Sequence, residues 1–172
     1  MLPYCPYFAV NQVAVDYLPP EAAAVIRGGP LAPYIQGVVT FKTVPGGVKV
    51  CVDISGLPQY QPGKDNVSPI GPFGFHIHEN GDCEVGDPND PFKLTGGHYN
   101  PTNQPHGNHA GDFPVLFSNH GIARTCFFTD KFAVRDIIGR SVVIHQNPDD
   151  YRTQPAGNSG KKIACGEIRV YR

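Results

Sequence analysis

The sequence predicts an all-β domain, either an antiparallel sandwich or a barrel. Several short segments alternate apolar and polar residues. Turn residues are plentiful, with 20 Gly and 18 Pro among 172 residues, and no stretch has the pattern of an amphipathic helix of ordinary length. Many short strands separated by turns are typical of such folds. The length is that of one domain with a sizeable core.

The clearest predicted element is a hairpin over residues 35–55. Residues 35–43 and 48–55 each alternate apolar and polar side chains, and Pro45-Gly46-Gly47 supplies a turn between them. Further short strands are predicted over residues 73–78, 122–128, 140–145 and 163–171. Asn119-His120-Gly121 is typical of a tight hairpin turn, which makes His120 a solvated turn residue. Propensity alone leaves residues 22–27 open between helix and strand.

Two stretches, residues 79–113 and 146–161, have almost no strand pattern. Structureless loops of this length are uncommon in a compact domain unless they are functional. The first stretch contains three histidines and the second directly follows His145. This coincidence favours a site built by the two loops.

The charge balance argues against nucleic acid and membrane surfaces as partners. The net charge is −1, and 17% of the residues are charged, so the chain has no global basic field. No apolar run approaches the length of a transmembrane helix. Residues 1–10 lack the basic region and cleavage site of a signal peptide. A cytoplasmic location is therefore favoured, and a secreted or cell-envelope location stays open if a leader has been removed.

The chain has five cysteines, so at most two disulfides can form within it. Cys51 and Cys126 lie in strand-like runs, where the simplest interpretation is a small buried or half-buried thiol. The cysteines do not have CxxC spacing, which argues against a cysteine zinc site or thioredoxin-type chemistry.

Seven residues of metal-ligand type, six histidines and one aspartate, form the strongest functional signal. His76 and His78 are at i and i+2 of a predicted strand and would project from one face. His106, His109 and Asp112 are spaced three apart in a glycine-containing loop, and two imidazoles with a carboxylate supply three of the usual four zinc ligands.

His98 and His145 complete the seven, which exceeds what one ion needs and suggests two adjacent metal sites. Each part also has an alternative without a metal. His76 and His78 could be surface histidines on a strand, and the triplet could be a polar loop that caps itself by hydrogen bonds. His145 could be a core or edge histidine whose hydrogen bonds are satisfied by the protein.

Five segments together carry a resemblance to a known family. They are Gly74-Phe75-His76-Ile77-His78-Glu79, Gly97-His98-Tyr99-Asn100-Pro101, His109-Ala110-Gly111-Asp112, Ile138-Gly139-Arg140-Ser141-Val142-Val143-Ile144-His145, and Gly157-Asn158-Ser159-Gly160 with Ala164-Cys165-Gly166. These segments resemble the copper/zinc superoxide dismutases, and the short segment between His106 and His109 is similar to that of the bacterial members. The resemblance covers residues 22–172 in the correct order and leaves residues 1–21 as an N-terminal extension. It implies an eight-stranded Greek-key β-barrel of immunoglobulin-like sandwich type, with residues 22–27 as its first strand.

The resemblance also implies the ligands and the reaction. His76, His78, His98 and His145 match the family's copper ligands, and His98, His106, His109 and Asp112 match its zinc ligands. His98 would be shared, with its imidazolate bridging both ions. The implied activity is the dismutation of superoxide anion to dioxygen and hydrogen peroxide by a redox-cycling copper, with proton transfer at His98. Family members differ in subunit number, so a homodimer is one expectation.

Further matches concern the surroundings of the metals. Asp149 matches an aspartate that accepts hydrogen bonds from one copper-ligand and one zinc-ligand histidine, here His76 and His106; alternatively, it is an ordinary residue of a Pro-Asp turn. Cys83 and Cys165 match the family's intrachain disulfide. Cys5, Cys51 and Cys126 are left without evident partners.

The sequence departs from the family pattern at one position. The alignment places Lys162, with Lys161 beside it, where the family has the arginine that guides and docks superoxide. Lysine keeps the charge but lacks the planar, bidentate guanidinium, so steering should survive while docking is weaker. The alternative is an ordinary solvated pair of lysines at the start of a strand.

Two other functions compete with a dismutase. A non-enzymatic copper chaperone-like or zinc-only module should lack the copper-only ligands, yet His76, His78 and His145 are all present. A zinc hydrolase needs an open zinc site beside a positioned general base, and no such base is evident in the sequence.

Overall fold

The computed structural model describes residues 19–64 and 69–171. This part contains seven strands: β1 Ala22–Gly28, β2 Gln36–Val44, β3 Gly47–Ser55, β4 Phe75–His78, β5 Ala123–Thr129, β6 Ser141–His145 and β7 Lys162–Val170. The helical elements are a 3₁₀ turn, Lys93–Thr95, and a four-residue helix α1, Val134–Ile137. The all-β prediction and each predicted strand are therefore confirmed. No helix in the described ranges is long and apolar enough to cross a membrane.

The strands form one antiparallel sheet in the order β4-β6-β7-β1-β2-β3-β5. Residues 22–27, which propensity left open, form the strand β1 and pair with β2 on one side and β7 on the other. Two hydrogen-bonded neighbours override the helical preference of three consecutive alanines. The predicted hairpin is present as β2 and β3, and Asn119 pairs with Ile122 around the predicted turn.

The sheet curls around one apolar core. Edge strand β4 contributes Phe75, and edge strand β5 contributes Ala123, to the same buried cluster. The Phe113 ring lies between the two edges, 5.4 Å from the ring centroid of Phe75 and 4.9 Å from that of Phe127. Since β4 and β5 stand at opposite ends of the strand order, these contacts show that the sheet bends back on itself.

The resemblance implies eight strands, but the described residues contain seven assigned strands. The segment before β5 comes close to the pattern of another strand without forming a ladder. Phe73 and Leu116 exchange two backbone hydrogen bonds, each of 2.9 Å, as an isolated bridge beside β4.

Part of the outer face of the sheet is covered by the first long loop, residues 79–113. Phe92 from this loop packs with Val143 of β6 and Cys165 of β7 in a second small apolar cluster. A disulfide joins Cys83 of the loop to Cys165. The loop is thus bonded covalently to β7 and packs on β6, which carries His145. Strand β4, which carries His78, pairs with β6.

The expectation of free thiols at Cys51 and Cys126 is wrong, because these residues form a second disulfide. Strands β3 and β5 pair so that the two cysteines stand directly opposite, with a Cα–Cα distance of 4.1 Å. The two residues are 75 positions apart in sequence, and only the non-local strand register brings them together. Cys5 and most of the predicted N-terminal extension lie outside the described residues.

Candidate metal centre

Strand β4 directs its apolar side chains into the core and its histidines to the opposite face. His76 and His78 are nevertheless fully buried, with exposures of 0% and 1%. The alternative of two surface histidines is therefore excluded. The loops that bury them contain the other histidines of the predicted site.

The backbone of β4 aligns these loop residues with the strand. Ile77 donates a backbone hydrogen bond to Gly111 and accepts one from Tyr99, at 2.9 and 2.8 Å. His78 is thereby bridged to His98, and His76 to Asp112. Gly111 has to be a glycine because a Cβ there would collide with the Ile77 carbonyl oxygen.

His145 reaches the same place from the end of β6. A register shift between Ile144 and His145 sets His145 opposite Lys162 of β7. Such bulges redirect side chains near functional sites. His145 is 3% exposed, and its backbone N–H donates to Gly74 just before β4.

The structure brings the predicted residues into two groups that share His98. The four-histidine group and the mixed group each have one ligand atom per residue, all within 4.8 Å of one another. The four-histidine group is His76, His78, His98 and His145; the mixed group is His98, His106, His109 and Asp112. His120, by contrast, is exposed in its turn and belongs to neither group.

Two histidines of the four-histidine group have lone pairs that face each other. The Nδ1 atoms of His78 and His145 contact the carbonyl oxygens of Gly96 and Gly160 at 3.0 and 3.2 Å, so each Nδ1 donates its hydrogen there. In the neutral rings the lone pairs are then on the Nε2 atoms, which lie 3.1 Å apart. Two such lone pairs repel unless a cation lies between them.

The mixed group has the spacing of a tetrahedral zinc site. The Asp112 carboxylate lies 2.9 Å from His98 Nδ1 and 3.3 Å from the Nδ1 atoms of both His106 and His109. Ligands at about 2.0 Å from a tetrahedral zinc ion are roughly 3.3 Å apart. The three nitrogens and one oxygen therefore suit that ion in both type and separation.

Buried ring nitrogens without hydrogen-bond partners provide an independent test of the fit. They are His76 Nδ1, His98 Nε2, His106 Nδ1 and His109 Nδ1. Unpaired buried polar atoms are rare because desolvation is costly. These four belong to the two groups, and a bound metal in each group would satisfy them.

Asp149 connects the two groups. Its carboxylate accepts hydrogen bonds from His76 Nε2 at 2.7 Å and from His106 Nε2 at 2.8 Å. Each ring must then present its lone pair at Nδ1, toward its own group. Asp149 also lies near His76 and Asp112 in a third cluster of ligand-type residues. Because both carboxylate oxygens already accept from histidines, we assign Asp149 to orientation of the ligands.

Burial keeps three histidines of the four-histidine group neutral and able to bind a metal. Burial lowers the pKa of His76 and His78 well below 6.5, with neighbouring histidines acting in the same direction, and lowers the pKa of His145 to about 3. Burial tends to raise the pKa of Asp112, but its hydrogen bond to His98 and the nearby histidines outweigh this and lower it. Asp112 is therefore ionised, as a carboxylate ligand of zinc must be.

Lys162 lies beside the four-histidine group, but its ammonium group is engaged. It donates hydrogen bonds to Phe92 O, Thr95 Oγ1 and Gly96 O, at 3.3, 2.7 and 2.9 Å. An ammonium has three N–H donors, so none is left over for an anion in this arrangement. Burial lowers the pKa of Lys162, whereas Asp90 and Glu79 act to raise it. The alternative of a freely solvated lysine is excluded.

Sequence reasoning missed several contacts that support the site. The carbonyl oxygens of Gly96 and Gly160 hold His78 and His145, and Gln154 binds the backbone of His106. Tyr151 Oη donates to the Phe113 carbonyl and accepts from the Val115 N–H, which joins the second long loop to the segment that follows Asp112. These contacts connect residues far apart in sequence and leave no local pattern.

A curled antiparallel sheet with two adjoining groups of buried histidine nitrogens defines a class of β-sheet metalloprotein. Comparison with known proteins identifies the family. The family model for copper/zinc superoxide dismutase matches residues 35–168. This range includes every residue of both groups, and the chain belongs to the copper/zinc superoxide dismutase family.

Individual relatives agree with the family model. The chain is 36% identical over 153 residues to a Cu-Zn superoxide dismutase of Deinococcus radiodurans, covering 79% of this chain and 78% of the relative. It is 34% identical to that of Legionella pneumophila, covering 86% and 85%. The Cu/Zn superoxide dismutase structure from Brucella abortus superimposes with a TM-score of 0.68 at 29% identity, covering 86% of this chain and 99% of that one.

Proposed function

We propose that this protein converts superoxide into dioxygen and hydrogen peroxide at a copper–zinc pair. The observation that carries this proposal is the position of His98. Its Nδ1 lies 2.9 Å from Asp112 in the mixed group, its buried Nε2 has no hydrogen-bond partner, and the residue also belongs to the four-histidine group. One imidazole thus offers a nitrogen to each of two sites.

The donor atoms suggest which metal each group holds. The four-histidine group would hold copper through His76 Nδ1 and the Nε2 atoms of His78, His98 and His145. The mixed group, with three nitrogens and one carboxylate, would hold zinc. Copper, when bound, supplies a one-electron redox couple for superoxide, whereas zinc supplies positive charge without redox chemistry.

His98 is the proposed proton carrier of the reaction. Asp112 and the zinc ligands fix its Nδ1 side, so its Nε2 is the atom that can alternate between binding and carrying a proton. From there one proton would pass to the reduced superoxide, and water would supply the second proton that hydrogen peroxide needs. The His98 side chain is 3% exposed, so little bulk water reaches this nitrogen.

Lys162 is proposed to attract superoxide by its charge. Since its three N–H donors already hold the first long loop, it acts on the anion through its field, and direct docking is weak. The same hydrogen bonds hold the Gly96 carbonyl that orients His78. Lys162 therefore combines steering with support of a proposed copper ligand.

We further propose that residues 22–172 form a copper/zinc superoxide dismutase-like domain with the architecture of an eight-stranded Greek-key barrel. The paired backbones of Phe73 and Leu116 support an eighth strand beside β4. The approach of β4 and β5 around Phe113 supports closure of the sheet.

The reaction is tested by loading the purified protein with defined amounts of copper and zinc and measuring both metals by mass spectrometry. Superoxide consumption is then followed by pulse radiolysis. We expect a rate proportional to the copper bound, up to one equivalent. One equivalent of bound copper without superoxide consumption would contradict the proposal and favour a non-enzymatic copper-binding module.

A further inference from the structure

Gln154, in the second long loop, makes a paired contact with the backbone of His106. Its Oε1 accepts the His106 N–H at 2.9 Å, and its Nε2 donates to the His106 carbonyl at 3.3 Å. The Nε2 also donates to Arg152 O at 3.2 Å, which fixes the carboxamide within its own loop. One side chain thus satisfies both backbone groups of a proposed zinc ligand.

This contact replaces a strand partner. His106 lies outside the assigned strands, so no sheet ladder fixes its backbone. The residue is 4% exposed, and an unsatisfied N–H or C=O there would carry a desolvation cost. Gln154 supplies the donor and acceptor that a neighbouring strand would otherwise provide.

The second long loop therefore holds His106 at two points. Gln154 fixes its backbone, and Asp149 accepts from Nε2 of its ring. With both ends held, Nδ1 has a set direction, and it faces Asp112 at 3.3 Å. Gly157 is packed so closely here that a Cβ would collide with His106 Nε2 and Asp149 Oδ1.

His109, the other loop histidine of the mixed group, is held differently. Its backbone N–H donates to Asp112 Oδ2 at 3.0 Å, and its carbonyl accepts from Lys131 at 3.2 Å. These partners lie outside the second long loop. A defect at Gln154 should therefore act through His106 and leave the anchoring of His109 in place.

We propose that Gln154 is a positioning residue for the zinc ion, acting through His106. The proposal rests on the assignment of zinc to the mixed group. Partners that orient metal ligands typically contribute about 10- to 100-fold to metal affinity. The carboxamide of Gln154 should therefore slow zinc release without touching the metal.

The test compares the full chain, loaded with copper and zinc, with Gln154→Met, Gln154→Glu and Gln104→Met. Methionine has a similar length but cannot replace either hydrogen bond. Glutamate keeps the acceptor for the His106 N–H and loses the donor. Gln104 is a matched control in the first long loop, since its side chain donates its hydrogen bond to Thr102 O and not to a proposed metal ligand. Zinc release to a chromophoric chelator is measured, together with the visible spectrum of cobalt placed in the zinc site.

We expect Gln154→Met to release zinc about tenfold faster and to alter the cobalt spectrum. Gln154→Glu should fall between Gln154→Met and the unmodified protein, and Gln104→Met should match the unmodified protein. Equal release rates and spectra for Gln154→Met and Gln104→Met would overturn the proposal. Neither readout uses superoxide, so a protein that binds zinc but does not consume superoxide would contradict only the proposed reaction.

Discussion

The two metal-binding groups are built in different ways. In the four-histidine group, His76, His78 and His145 stand on strands, and backbone carbonyls orient two of the three rings. In the mixed group, His106, His109 and Asp112 come from the first long loop. That group relies on side chains from other segments, including Asp149 and Gln154.

The difference shows which parts of the site the sheet can position alone. A strand ladder fixes the direction of each side chain with period two, so β4 and β6 set three imidazoles in place as soon as they pair. A loop without a ladder needs additional hydrogen bonds for every ligand it carries. We therefore expect the mixed group to be the more sensitive to changes outside the ligands.

His98 belongs to both groups, so its removal should have the largest effect. We expect His98→Ala to lower superoxide consumption by at least about 100-fold, since even partners that only orient ligands contribute 10- to 100-fold to affinity. It should also weaken binding of both metals. His120→Ala is the control, because His120 is exposed in a turn. Metal content and activity of the two variants, measured together, check this. If His98→Ala lost only one metal, the two groups would bind their metals independently, which contradicts a shared His98.

Asp149 should come next, because it orients one histidine in each group. In Asp149→Asn the amide nitrogen cannot accept a hydrogen bond, so His76 or His106 loses its partner. We expect zinc affinity to fall by about 10- to 100-fold, with a smaller loss for copper, since three of its four proposed ligands stand on strands. Competition with chelators measures both constants. Asp150→Asn is the adjacent control, since Asp150 bonds to Arg152 and Thr153 within the second long loop. A larger loss of copper affinity than of zinc affinity would contradict the expectation that the mixed group is the more sensitive of the two.

Removing each of the two disulfides in turn should distinguish an effect on stability from an effect on activity. They close chain segments of similar length, with sequence separations of 75 and 82 residues. The chain-entropy model assigns about 4.5 kcal/mol to each. Replacing either pair by serine should therefore lower the free energy of unfolding by comparable amounts, which urea denaturation can measure.

Activity under native conditions should distinguish the two pairs. Cys83 and Cys165 hold the loop whose Gly96 carbonyl orients His78, whereas Cys51 and Cys126 join adjacent strands away from both groups. We expect Cys83→Ser with Cys165→Ser to lose copper and activity, while Cys51→Ser with Cys126→Ser keeps both. Equal activity loss would show that the effect is a general loss of stability.

The smallest effect is expected at Lys162. Lys162→Ala should lower the rate of superoxide consumption by roughly tenfold and flatten its dependence on ionic strength. Lys162→Arg should raise the rate, because a guanidinium has five N–H donors and can hold the loop while sparing donors for the anion. Lys161→Ala is the neighbouring control. Unchanged rates in both Lys162 variants would exclude a role in attracting the substrate.

The sequence was sufficient to predict most of the sheet and the residues that gather at the site. Period-two alternation identified the hairpin of β2 and β3. The histidines of the site lie within or next to the two long loops in the sequence, which indicated that these loops build the site. The strand β1 was ambiguous because Ala22, Ala23 and Ala24 favour a helix locally, and only pairing with β2 and β7 decides otherwise.

The contacts that could not be predicted all depend on non-local register or loop path. Cys51 meets Cys126 only because β3 and β5 align in one register. Gln154 reaches His106 across 48 positions of sequence without any motif. The sequence predicted a positive charge at Lys162. It could not predict that all three N–H donors of this lysine bind the first long loop.

The central claim is that the two groups form one metal centre joined at His98. It is tested by electron paramagnetic resonance of the protein with one equivalent of Cu(II) in the four-histidine group and one of Co(II) in the mixed group. If the His98 ring bridges the ions, magnetic coupling through the imidazolate should remove most of the copper signal, and displacing the ring from copper by acid should restore it. A copper signal of full intensity at neutral pH, with both metals bound, would contradict the claim.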